Sequence, residues 1–114
     1  MSFFKSDVVR AEMAQINELQ EEIYGNVFKF LTMTPEDKAY HVDILEKLIE
    51  KQRVMYTRLS LSDDPDAKKM KENILKGAAD MGLPTNVDMN LLFNDLYKMV
   101  DVMKKAVDKD QFNI

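Results

Sequence analysis

The sequence predicts an all-α fold, in which two shorter helices pack on a long antiparallel helical hairpin. Four segments carry apolar residues at every third or fourth position, which is the period of an amphipathic helix. Only three Gly and three Pro occur in 114 residues, too few for the turns of a sandwich, barrel or βαβ fold. Because 46% of the residues are hydrophobic and 32% are charged, the chain can bury a core. We therefore expect a single helical domain over residues 1–114.

The first helix is predicted to run from about Ser6 to Thr32. Its apolar positions alternate in steps of four and three, as in the seam of a packed helix. The seam consists of Val9, Met13, Ile16, Ile23, Val27 and Phe30. Leu19 and Leu31 widen this stripe, and Gln20 interrupts it.

The second helix is predicted from Pro35 to about Leu61. Thr34 can cap it, Pro35 lacks the N–H group that would have no partner in the first turn, and acidic residues follow. Its stripe contains Leu45, Leu48, Met55 and Leu59. Gln52 interrupts this stripe as Gln20 interrupts the first, and the two would set the helix register if they face one another.

The third helix is predicted from Pro65 to about Met81. Either Ser62 or Asp64 can cap its start, and Gly82 is placed to end it in the left-handed conformation. Its stripe consists of Ala67, Met70, Ile74, Ala78 and Met81.

The last helix is predicted to open at Thr85, with Asp88 completing a capping box, and to run to about Val107. Its seam consists of Met89, Phe93, Leu96, Val100, Met103 and Val107. The polar tail, residues 108–114, is expected to fray.

The two longest predicted helices imply an elongated molecule. Each holds about 27 residues and would be about 40 Å long, whereas a compact chain of this size has a radius of gyration of about 13 Å. The shorter helices can cover part of such a hairpin. We therefore expect a homodimer, or a protein partner that covers the remaining apolar surface.

The residue types present disfavour an enzyme. The chain has no Cys and one His, which excludes thiolate chemistry and His-rich metal sites. No glycine-rich phosphate loop occurs, and His41 with Asp37 one turn earlier is expected to be a simple polar pair. We predict no catalytic residues, no cofactor and no metal. The sequence has no signal peptide and no long apolar run, so we expect a cytoplasmic protein.

Two short motifs resemble those of a known family. The opening Phe3-Phe4-Lys5-Ser6 and the central stretch from Arg53 to Asp64, of the form R-x-x-x-x-R-x-x-L-S-D-D, are similar to a small uncharacterised family of cyanobacteria and their phages. The last helix, with Phe93, Met99, Met103 and Lys104, is similar to the closing helix of that family. The resemblance implies an all-helical cytoplasmic protein of a cyanobacterium or of a host infected by a cyanophage. It brings no catalytic residues.

These features favour a non-enzymatic interaction or regulatory module that binds a host or phage protein. The predicted partner-binding residues are Phe3, Phe4, Arg53, Arg58, Asp63 and Asp64. Phe3 and Phe4 could instead staple the first helix, and the charged residues could form a solvated helix end. Methionines near the last helix could either fill the core or line a groove for a partner helix.

Nucleic-acid binding is the alternative function. Lys68, Lys69, Lys71 and Lys76 form a local basic run that could contact phosphate. Acidic neighbours balance this run, and the net charge of the chain is −4. The charge balance therefore disfavours a dedicated nucleic-acid binder.

Overall fold

The computed structural model describes residues 3–80, 82 and 88–112. These residues form four α-helices and two short 3₁₀ segments, with no strand among them, which confirms the all-α prediction. The helices are α1 (Asp7–Asn26), α2 (Pro35–Leu61), α3 (Pro65–Asp80) and α4 (Met89–Phe112). An N-terminal 3₁₀ turn (Phe3–Lys5) precedes α1, and a 3₁₀ segment (Val27–Thr32) follows it.

Side-chain caps begin the first three helices. The Ser6 and Thr34 hydroxyls accept hydrogen bonds from N–H groups three residues later, at 3.4 Å and 3.2 Å. Of the two candidates before α3, Asp64 is the cap, since its Oδ1 accepts from the Asp66 N–H at 2.8 Å. These bonds satisfy N–H groups that have no partner within the helix.

The α-helical part of α1 ends earlier than predicted. It stops at Asn26, where the chain tightens into the 3₁₀ segment. Gly25 and Asn26 are poor helix formers. A 3₁₀ helix turns by about 120° per residue, compared with about 100° in an α-helix. The side chains of Val27 and Leu31 therefore leave the predicted seam, and they are 50% and 85% exposed.

The predicted limits of α4 are also wrong. The helix begins at Met89, and Asp88 caps it by accepting from the Asn90 N–H at 2.9 Å; Thr85 lies outside the described residues. It continues past Val107 to Phe112, because this stretch contains no Gly or Pro and several good helix formers. At 24 residues it is longer than the 20 residues of α1.

The end of α3 follows the prediction for Gly82. Its φ angle is +96°, a conformation that glycine adopts without a steric penalty. Its N–H donates to the Ala79 carbonyl at 3.0 Å, which satisfies a terminal acceptor of α3. Met81, the predicted last residue of this helix, lies outside the described residues.

The longest helix, α2, lies at the centre of the molecule. Its N-terminal half packs on the C-terminal halves of α1 and α4, through Ile44 against Ile23 and through Val42 against Val107. Its C-terminal half packs near their beginnings, with Leu59 against Val9 and Tyr56 against Phe93. Both neighbours are therefore antiparallel to α2 and run parallel to each other. The third helix packs across the end of this layer, where Ala67 is fully buried.

The molecule is elongated, as predicted. Its principal dimensions are 55 × 32 × 20 Å and its radius of gyration is 16.4 Å, compared with about 13 Å for a compact chain of this length. Three helices in one layer leave a face of that layer open, and this open face contains the candidate site.

Candidate functional site

An open groove runs between α1 and α4, with α2 as its floor. It has a volume of about 420 Å³, within the range of binding sites for small ligands and peptide side chains. Phe4 and the α3 residues Met70 and Ile74 close one end. The groove is a direct consequence of the fold, because α1 and α4 each pack mainly on α2.

The walls and floor of the groove are largely apolar. The α1 wall consists of Met13, Ile16, Asn17 and Gln20, and the α4 wall of Met89, Leu92, Phe93 and Leu96. The floor is formed by Gln52, Met55, Tyr56 and Leu59 of α2. Each set spans eight residues, or about two helical turns and 10 Å. The groove can therefore take apolar side chains spaced over two turns of a helix.

Three amide side chains provide most of the polarity of the groove. Asn17 and Gln20 lie on the α1 wall, and Gln52 lies on the floor. The predicted pair Gln20 and Gln52 thus shares one groove, where both residues are half-buried. Uncharged amides can donate and accept hydrogen bonds without the cost of burying a charge.

Methionine is concentrated in this groove. Met13, Met55, Met70 and Met89 line it. Of the methionines near the last helix, Met89 is buried in the core and also lines the groove. Met103 is half-buried against that core, and Met99 is 44% exposed. Methionine side chains are unbranched and adaptable, and they are common on surfaces that bind helices of varied sequence. Filling the core and lining the groove are therefore not exclusive roles, and each methionine has to be considered separately.

Phe3 and Phe4 pack within the chain. Their rings meet edge to face with centroids 5.1 Å apart, and they lie half-buried on the cluster that contains Met55 and Leu59. The Phe3 N–H donates to Asp64 Oδ2 at 2.6 Å, which attaches the N-terminal turn to the start of α3. This bond, with a second from the Asp66 N–H, lowers the pKa of Asp64 below its ordinary value.

The other predicted partner-binding residues do not form one patch with these. Arg53 reaches towards α4, where its Nε donates to the Tyr97 hydroxyl at 3.3 Å, and this contact raises its pKa. It also pairs with Glu50 at 3.3 Å. Arg58 and Asp63 lie exposed at the C-terminal end of α2 and just after it. The motif is therefore divided between an internal contact, a contact with α4 and an exposed helix end.

His41 has a packing role. It is 7% exposed, and its ring contacts the Phe30 ring with centroids 5.2 Å apart and planes tilted by 47°. The predicted pair with Asp37 is replaced by this ring contact. Within the described residues, no three His, Asp or Glu side chains are placed to share a metal ion.

The basic run lies on α3. Lys68, Lys69 and Lys76 are exposed. Lys71 is half-buried, and its Nζ lies 5.9 Å from the centre of the Tyr56 ring. The acidic residues Asp66, Glu72 and Asp80 are exposed on the same helix, so the run forms a face of mixed charge.

The sequence reasoning missed an exposed apolar stripe beyond the groove. Tyr24 is 67% exposed, Phe28 96% and Leu31 85%. The signal was present, because apolar residues at positions 24, 27, 28 and 31 have helical spacing. The prediction assigned Val27 and Leu31 to the packed stripe of the first helix and left Tyr24 and Phe28 out. We call Tyr24, Val27, Phe28 and Leu31 the α1 stripe.

The family of the chain follows from a sequence comparison. A family profile matches residues 1–107. The chain belongs to the family described as a domain of unknown function, DUF1825. No curated protein and no solved structure matches the chain. Within the described residues, no helix of this family member has the length and apolar character needed to cross a membrane.

Proposed function

We propose that this protein is a non-enzymatic helical interaction module of a cyanobacterium or cyanophage, with a regulatory role. It docks an apolar helical segment of a host or phage protein in the groove between α1 and α4. The observation that carries the proposal is the groove itself, which is open, about 420 Å³ in volume and lined mainly by apolar residues.

The shape of the groove favours a helical segment. Each wall spans about two turns, which matches the i, i+3 or i+4, i+7 anchors of an amphipathic helix. Among residues 3–80, 82 and 88–112, no fourth helix of a bundle covers this face of α1, α2 and α4, and a docked helix would take that place. The methionines of the groove can adapt to its side chains.

Other features agree with a non-enzymatic interaction module, which we propose to act in the cytoplasm. The single histidine is engaged in packing on Phe30, so it is poorly placed to act as a catalytic base. Arg58 and Asp63, exposed beside the groove residue Leu59, are proposed to add polar contacts to the partner. Such rim contacts mainly affect orientation and association rate.

A matched pair of substitutions tests the groove. Asn17 is exposed and lines the groove, whereas Asn94 is exposed on α4 and does not line it. Asn17→Asp and Asn94→Asp make the same nearly isosteric change, so both variants are expected to fold. A carboxylate covered by an apolar partner would be costly. Asn17→Asp is therefore expected to weaken partner binding by about tenfold or more, and Asn94→Asp is expected to leave it unchanged.

The measurement is capture from a nuclease-treated cyanobacterial lysate with each tagged variant, followed by mass spectrometry. We expect one stoichiometric protein with wild type and Asn94→Asp, and its loss with Asn17→Asp. Equal capture by all three would overturn docking in the groove. Recovery of nucleoid and ribosomal proteins alone, decreasing steeply with salt, would favour the nucleic-acid alternative through the exposed lysines of α3.

A further inference from the structure

We infer that, in the absence of another partner, the groove is occupied by the α1 stripe of a second copy of this chain, in an antiparallel two-fold dimer. This inference rests on the proposed function, because it names an occupant of the same groove. It also assigns a regulation to that groove, since a partner helix must displace the second copy.

The first observation is the exposure of the α1 stripe. Phe28 and Leu31 are 96% and 85% exposed. They are three residues apart in a 3₁₀ helix, which places their side chains on the same side. Contiguous apolar side chains exposed to this degree are characteristic of an interaction surface.

The second observation is that the groove wall on α1 and the α1 stripe follow one another along the chain, across α1 and the 3₁₀ segment that continues it. Met13, Asn17, Gln20 and Tyr24 follow one another in steps of four, three and four residues, and such residues are neighbours on a helix surface. Phe28 continues the line one turn after Tyr24. None of these residues is charged. The nearby Glu21, one turn from both Asn17 and Tyr24, is exposed beside them.

An antiparallel arrangement brings each stripe against the other groove. If two α1 helices pair about an axis near residue 22, Asn17 of one copy lies opposite Val27 of the other. Phe28 and Leu31 then lie over the apolar wall that begins at Met13. Both contacts form together and use the same surface of each copy, so the assembly closes as a dimer.

The surface area of the chain is consistent with such a dimer. The chain exposes 8162 Å², compared with about 6,500 Å² for a compact monomer of this mass. The surplus of roughly 1,700 Å² is about twice the roughly 800 Å² that each partner buries in a standard interface. The elongated chain therefore has enough surface for an interface of standard size.

Cysteine cross-linking tests the pairing directly, because the chain contains no cysteine. Asn17→Cys and Val27→Cys proteins are prepared separately, one with a size tag, then mixed and mildly oxidised. We expect disulfide-linked heterodimers in the mixture and little cross-linking of either protein alone. Asn17→Cys homodimers would indicate parallel pairing and would overturn the inference, as would the absence of any cross-link.

A second matched pair tests the stripe. Leu31 and Leu61 are 85% and 81% exposed, so Leu31→Asp and Leu61→Asp should leave the fold of one chain intact. By analytical ultracentrifugation we expect Leu31→Asp to raise the dimer dissociation constant at least about tenfold, with Leu61→Asp close to wild type. Equal dissociation constants for the two variants would overturn the inference.

These results separate the inference from the proposed function. If the wild-type chain is monomeric but Asn17→Asp still loses the captured protein, the second copy is not the occupant and the docking groove stands. If capture is insensitive to Asn17→Asp while cross-linking succeeds, the groove serves self-association alone. If cross-linking succeeds and Asn17→Asp also loses the captured protein, the second copy and the partner share the groove. Leu31→Asp is then expected to increase partner capture, because it removes the competing copy.

Discussion

Asp64 joins three parts of the chain through one carboxylate. It follows α2, caps α3 and accepts the N–H of Phe3 in the N-terminal turn. Because these bonds stabilise the ionised form, the pKa of Asp64 in the folded protein lies below its ordinary value of 3.8. Asp64 of the sequence motif therefore has a structural role, independent of any protein that the motif binds.

The lowered pKa predicts a direction for acid sensitivity. The stabilisation is present above the unfolded pKa and is lost as pH falls through the lower folded pKa. Asp64→Asn removes the ionisable group, so the difference in Tm between wild type and this variant should shrink as pH falls below about 4. Thermal unfolding followed by circular dichroism between pH 7 and pH 2 measures it.

Asp63→Asn is the control for this measurement. Asp63 is exposed one residue earlier and takes no part in the contact between Asp64 and Phe3. We expect its Tm to follow the wild-type dependence on pH. If both variants lose the same part of that dependence, the attachment of the N-terminal turn is not its source.

At the scale of elements, α1 has two apolar sides, of which one is buried and the other is open to solvent. One side, through Val9 and Ile23, is buried against α2. The other forms a groove wall and then the α1 stripe. The two sides differ most in exposure after Asn26, where the chain changes to a 3₁₀ helix and Phe28 and Leu31 are 96% and 85% exposed.

The α1–α2 contact itself predicts a stability difference between two leucines. Leu48 is 5% exposed and packs with Ile23 and Ile44, whereas Leu61 is 81% exposed. Leu48→Ala is expected to lower the free energy of unfolding by about 2–5 kcal/mol, and Leu61→Ala by less than about 0.5 kcal/mol. Urea titration measures both values. Similar losses in the two variants would contradict the placement of Leu48 in this contact.

At the scale of the whole molecule, three helices in a layer with α3 across one end leave an open face. This arrangement accounts for both the elongated dimensions and the groove. It also explains why the proposed partner and the proposed second copy compete, since both would cover the same face.

The uncharged lining of the groove and the apolar residues of the α1 stripe predict how the proposed dimer responds to salt. Apolar contacts are not screened, whereas exposed ion pairs weaken once the Debye length falls to a few ångströms. We expect the dissociation constant of the dimer to change by less than about threefold between 0.05 and 0.5 M NaCl. Ultracentrifugation at the two salt concentrations measures it. A steep weakening would instead indicate pairing through charged helix surfaces such as that of α3.

The sequence alone determined the fold class, the number of helices and several of their boundaries. Thr34 and Gly82 act locally, through hydrogen bonds and backbone conformation within a few residues, so their roles could be predicted without knowledge of the fold. The sequence left Ser62 and Asp64 open as the cap of α3, and the bond from Phe3 to Asp64 joins residues 61 positions apart. The seams of α1, α2 and α4 were also predictable, because periodicity reports which side of a helix is apolar. The same reasoning placed Val27 and Leu31 in a seam, because periodicity alone cannot show where an α-helix tightens into a 3₁₀ helix.

The tertiary structure alone decided what each apolar side packs against. Periodicity cannot distinguish Met89, which is buried and also lines the groove, from Met103, which is half-buried and does not line it. Nor can it show that Arg53 is engaged by Tyr97, or that Phe28 is left uncovered, since these outcomes depend on residues far apart in the chain. The groove arises from the packing of α1 and α4 on opposite sides of α2, and such a long-range arrangement is not encoded in the pattern of any single segment.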